Sequence, residues 1–159
     1  GVTSNQSLKK AIRSSKISGA VIDCWENEPE IDCELLELVD IATPHIAGYS
    51  ADGKWTATRM SIENLIDFFN LQVSPEYLEI PHPIEPIIDL QSNIEEDQLS
   101  HAVWHTYNPV KDSELLKLNP QKFYWFRSNY PLRRDYHAYS VVNTTNPIKE
   151  LLENLGFNV

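Results

Sequence analysis

Apolar positions along this chain change period several times, and each change predicts an element. Leu8, Ala11 and Ile12 stand three and four apart behind Ser4 and Asn5, both N-cap types, which predicts a first helix. Arg13 and Lys16 fall in its last turn, where cations suit the helix dipole. Gly19 to Cys24 is a short apolar run closing on a charge, the mark of a buried strand whose C-terminal end meets a site. A second short strand is expected over Val39 to Ala42. Ser50 then precedes Ala51-Asp52-Gly53, an N-cap with acid in the first turn. Ile62, Leu65, Ile66 and Phe69 recur at helical spacing, so that helix should run to about Asn70 with one apolar face.

Residues 71–86 hold Pro75, Pro81, Pro83 and Pro86, which excludes a regular element and predicts a stiff linker. The pattern then restarts. Pro86 to Leu90 reads as a strand, and Asn93 with Glu96 has capping-box spacing for a helix to about Tyr107. Short helices are expected from Asp112, carrying Leu115, Leu116 and Leu118, and from Asn119-Pro120, carrying Phe123 to Phe126. Tyr136 to Val142 has strand composition. Asn146-Pro147 should start a last helix with Leu151, Leu152 and Leu155 inward, closed by a left-handed Gly156 with Phe157 packed back. The pattern thus divides into residues 1–70, a linker at 71–85, and an α+β unit at 86–159. The aromatic load of that last unit is more than about 75 residues can bury alone, which suggests a partner surface.

Composition narrows the class. Hydrophobic residues make up 42% of 159, enough for a packed core. The net charge of −10 argues against nucleic acid and anionic membrane as partners. No apolar run approaches the length of a membrane span. Cys24 and Cys33 are the only cysteines, and with no visible secretory signal they read as reduced cytoplasmic thiols. A helix leading at once into a strand is half of a crossover unit, so the α/β part should have neighbouring strands upstream of Gly1.

The chemistry-bearing residues cluster in Gly19 to Tyr49. Asp23 closes the first strand, Glu28 stands before Pro29, and His45 follows the second strand within Thr43-Pro44-His45-Ile46-Ala47-Gly48-Tyr49. A carboxylate and an imidazole just past neighbouring strand ends can meet across a crevice and handle a proton near neutral pH. His101 and His105, four apart, lack an evident third metal ligand, so no metal is expected. Arg133-Arg134 could clamp a phosphate, though a surface or interface pair is the simpler reading. Glu95-Glu96-Asp97 reads as a solvated first turn.

Asp23-Cys24-Trp25-Glu26-Asn27-Glu28-Pro29, then Thr43-Pro44-His45-Ile46, resembles the second half of the NAD-binding domain of D-isomer-specific 2-hydroxyacid dehydrogenases. Asn129-Tyr130, Arg133-Arg134-Asp135-Tyr136 and Leu155-Gly156-Phe157 resemble an extra dimerisation domain carried by one branch of that family. The resemblance implies the C-terminal part of a Rossmann-type domain, followed by a small α+β dimerisation domain. It implies NAD as cofactor, a small phosphorylated hydroxy acid as substrate, and a homodimer. It makes Glu28 the catalytic glutamate and His45 the proton donor and acceptor. Asp23 would contact the nicotinamide carboxamide, Gly48 the cofactor through its backbone, and Tyr49 the substrate. The family's catalytic arginine and glycine-rich phosphate loop should lie before Gly1. Cys24 stands where many relatives carry valine, and a buried small hydrophobe fits there. Two other readings remain: a family member acting on glycerate or phosphoglycerate, and a regulatory ligand-binding module at 86–159.

Overall fold

The computed structural model describes residues 3–91 and 95–159, so the capping box expected at Asn93 and Glu96 lies outside the described residues. The chain forms two units that interleave in sequence. The first comprises 1–47 and 108–131, the second 48–107 and 132–159. No helix among the described residues is long and apolar enough to cross a membrane.

In the first unit, α1 (Asn5–Arg13) is capped by Ser4, whose side chain accepts the Ser7 N–H. The expected strands are shorter than their apolar runs. β1 is Val21–Ile22 and β2 is Ile41–Ala42, paired in parallel with Val21 opposite Ile41. Among the described residues β2 is the one neighbour of β1, and Val21 is 68% exposed. Between them lies α2 (Cys33–Leu38), which the periodicity did not reveal. Its Asp32 cap accepts the Leu35 N–H at 3.0 Å, and it buries the adjacent pair Leu35 and Leu36.

The linker-based division at 70 and 86 does not describe the packing. α5 (Pro109–Leu118) lies against β2, and α6 (Phe123–Ser128) follows it. Two hydrogen bonds and one buried side chain hold this segment in the first unit. The Ala42 N–H donates to Ser113 Oγ at 3.0 Å, Lys117 Nζ donates to the Val39 carbonyl at 2.6 Å, and Leu116 is fully buried. Leu116 and Phe123 share one core with Trp25, Leu35, Leu36 and Val39. The aromatic run therefore serves the first unit: Phe123 is buried, while Tyr124 and Trp125 are exposed.

The second unit opens on α3 (Ala51–Phe69), capped by Ser50, which accepts the Gly53 N–H, and closed by left-handed Asn70. These ends match the expected ones, but the expected apolar face is half open, with Leu65 and Phe69 exposed. Residues 71–86 have no regular element, yet they are bound to this unit rather than free to span. Trp55 Nε1 donates to the Leu78 carbonyl at 3.1 Å, and Arg134 Nη1 donates to the carbonyls of Ile80 and Pro81.

β3 (Ile87–Asp89) pairs in parallel with β4 (Ser140–Val142), flanked by α4 (Glu95–Thr106) and α7 (Asn146–Leu155). Ile88, Leu90, Ala102, Tyr139, Val141, Leu152 and Phe157 form the core. The expected strand from Tyr136 begins instead as a 3-10 turn over Tyr136–Ala138. In α7 only Leu152 is buried; Leu151 and Leu155 are exposed. Gly156 has φ 99°, and the Phe157 N–H donates to the Leu152 carbonyl, as a left-handed C-cap requires.

Candidate active site

Every side chain of the predicted acid–base pair lies in the first unit. Trp25 fixes the frame. Its indole N–H donates to the Thr43 carbonyl at 3.0 Å, in a buried contact, and its backbone N–H donates to Glu28 Oε1 at 2.8 Å. The second carboxylate oxygen of Glu28 meets His45 Nδ1 at 2.8 Å. An ionised carboxylate only accepts, so facing one Nδ1 is the donor, and an uncharged imidazole then offers Nε2 as the acceptor. The imidazole side chain is 42% exposed and the glutamate 21%, so the pair is open to a ligand.

Asp23 holds the loop that carries His45. Its Oδ1 accepts from Thr43 Oγ1 at 2.7 Å and from the Ile46 N–H at 2.7 Å, and its Oδ2 accepts the Ala47 N–H at 3.1 Å. A carboxylate offers about four acceptor positions, which leaves Oδ2 with one for an amide donor. His45 itself has φ 57°. A non-glycine residue there costs about 1–3 kcal/mol, though histidine and asparagine tolerate it better than most. From α6, Arg127 Nε donates to the His45 carbonyl at 3.3 Å.

Cys24 is exposed, correcting the expectation of a buried hydrophobe. Partial burial and the Asp23 and Glu28 carboxylates push its thiol up, and Arg127 offsets part of this. Gly48 and Tyr49 belong to the second unit. A Cβ at Gly48 would meet nothing within 4 Å, so no crowding there demands glycine. Lys54 Nζ lies 3.9 Å from the centre of the Tyr49 ring.

Arg133 and Arg134 are not an exposed pair. Arg134 is buried against Asp52 through Nε and Nη2, and the Arg133 guanidinium stacks 4.4 Å from the centre of the Tyr107 ring. His105 Nε2 lies 3.0 Å from the Glu85 carbonyl, and no group of three metal-ligating side chains occurs among the described residues. Sequence reasoning missed the roles of Asp52 and Arg127. Asp52 looked like a generic first-turn acid, and Arg127 stands 82 residues beyond the histidine it touches, with no local pattern to join them.

Residues 80–156 match the family described as a domain of unknown function, DUF3410. Over nearly its whole length the chain is similar to curated erythronate-4-phosphate dehydrogenases. It is 47% identical to that of Bacteroides thetaiotaomicron over 141 residues, covering 89% of the chain and 38% of the relative. The Porphyromonas gingivalis protein is 40% identical over 157 residues, 98% of the chain and 42% of the relative. The Bacteroides fragilis protein is 47% identical over 143 residues, 90% and 39% respectively. The chain thus spans well under half the length of these relatives.

Proposed function

We propose that this chain is the C-terminal part of an erythronate-4-phosphate dehydrogenase, an oxidoreductase acting on a CH–OH group with NAD. The reaction would take 4-phospho-D-erythronate to its 2-oxo acid in pyridoxine (vitamin B6) biosynthesis, in a cytoplasmic homodimer. The observation that carries this reading is the Glu28–His45 contact at 2.8 Å, which leaves Nε2 of a half-exposed imidazole ready to take a proton. The similarity to the curated dehydrogenases supports the choice of reaction.

The chain's own residues divide the work. His45 Nε2 accepts the substrate's 2-hydroxyl proton during oxidation and returns it in reduction. Glu28 keeps the Nδ1–H tautomer and balances the charge on the imidazolium. The free acceptor position of Asp23 fits the carboxamide N–H of a nicotinamide, while its other contacts hold the His45 loop. NAD would supply the hydride acceptor. Gly48 and Tyr49 are proposed as cofactor and substrate contacts.

A substrate panel on the complete enzyme tests the assignment. NADH formation should be fastest with 4-phospho-D-erythronate, and preference for glycerate or 3-phosphoglycerate would overturn it. Glu28→Gln keeps the shape but offers an amide where the imidazole N–H needs an anion. Turnover should fall by about 10-fold or more, because the wrong tautomer and an unbalanced imidazolium both oppose proton transfer. A turnover equal to the wild type would remove Glu28 from the mechanism.

A further inference from the structure

The DUF3410 match covers residues 80–156, yet the stretch 108–131 within it packs with residues 1–47. We propose that this stretch is a clamp on the His45 loop, and that Arg127 is the positioning residue through which it acts. The kinetic part of the inference rests on the dehydrogenase reading; the structural part does not.

The clamp is anchored on the strand that delivers the loop. Ser113 Oγ accepts the Ala42 N–H, and Lys117 Nζ donates to the Val39 carbonyl just before β2. Leu116 and Phe123 bury themselves in the core beside Trp25, the residue that positions Glu28. Phe123 and Arg127 are four apart across α6, one turn along the same face. Anchoring Phe123 therefore sets where the guanidinium starts.

The peptide between His45 and Ile46 is then held at both ends. An anion takes its N–H: Asp23 Oδ1 accepts from Ile46 at 2.7 Å. A cation takes its carbonyl: Arg127 Nε donates to His45 at 3.3 Å. Opposite charges on the two poles of one peptide fix its plane, and with it the ψ angle of His45. That residue sits at φ 57°, a conformation that persists only where the surroundings over-determine it. Released from the guanidinium, the backbone can relax and carry the ring away from Glu28.

Nitrogen-15 NMR of the His45 ring in the complete protein is the first test. The wild type should show one tautomer, with the proton on Nδ1. Arg127→Met, which keeps the stem and loses the donor, should give a mixture of tautomers. Arg127→Lys should restore most of the wild-type signal, and the exposed Tyr124→Ala should leave it unchanged. In the complete enzyme, Arg127→Met should lower kcat by about 10²-fold, the scale of a misplacement near 1 Å, with KM nearly constant. A wild-type tautomer in Arg127→Met would overturn the clamp, and a wild-type kcat would overturn its kinetic part. If that variant does not fold, Arg127→Lys decides: a wild-type melting temperature with a mixed tautomer also overturns it. If the wild-type complete enzyme oxidises no hydroxy acid, the dehydrogenase reading fails, and the NMR result still decides the clamp.

Discussion

His45→Asn should lower turnover of the complete enzyme by about 10²–10⁴-fold, the usual worth of a positioned proton-transfer group. Asparagine is chosen for a backbone reason. His45 occupies the left-handed region at φ 57°, and asparagine is among the few residues that settle there readily. The loop contacts from Asp23 to Ile46 and Ala47 involve backbone N–H groups, so they survive the change. Lost are the contact to Glu28 and the nitrogen that takes the hydroxyl proton. NADH affinity, read by fluorescence titration, should stay close to the wild type, because the imidazole handles the substrate's proton. A turnover within about tenfold of the wild type would show that another group carries the proton.

The sequence foretold the pair but not the frame around it. Glu28 and His45 were readable because each stands beside a proline just past a short apolar run. Several helix ends were readable from local signals: side-chain N-caps at Ser4 and Ser50, and left-handed backbone at Asn70 and Gly156. Asp23 was legible as a strand-end carboxylate, but its partners were not. Its three donors come from residues 43, 46 and 47, so its loop-holding task appears only once β1 and β2 pair. Strand lengths were overestimated because an apolar run states what a segment can bury, while its neighbours decide how much of it is laddered. Among the described residues β1 pairs with β2 alone, and the ladder covers Val21–Ile22. The interleaved units were the least legible feature. Four prolines at 71–86 suggest a boundary, whereas the chain returns to the first unit after Tyr107 without any break in composition. The burial of Leu116 and Phe123 beside Trp25, with the Ser113 and Lys117 bonds to Ala42 and Val39, identifies that return.

Arg134→Met should destabilise the second unit by about 3–5 kcal/mol near neutral pH, the cost of leaving one partner of a buried ion pair alone. Asp52 and Arg134 have side chains 8% and 9% exposed, so water cannot replace the lost contact. The guanidinium spends Nε and Nη2 on the Asp52 carboxylate and Nη1 on the carbonyls of Ile80 and Pro81. One residue thus ties the first turn of α3 to the proline-rich stretch. The Asp135 N–H and His137 Nε2 complete the carboxylate's shell. Burial pushes the Asp52 carboxyl up, but Arg134 and the Asp135 N–H outweigh it and hold the group below the usual carboxylate range. A depressed carboxyl contributes stability above the unfolded value of about 3.9, and loses it as pH falls through the folded value. In Arg134→Met the balance reverses, because burial now acts with the guanidinium gone. That variant gains relative stability as Asp52 protonates, so its deficit should be widest near pH 7 and shrink in acid. Urea unfolding followed by circular dichroism at both pH values measures this. Pairing the change with Asp52→Leu should recover much of the loss, since an apolar pair leaves no buried charge. A deficit under about 1 kcal/mol at pH 7, or one that grows in acid, would mean that the carboxylate finds other partners when Arg134 is removed.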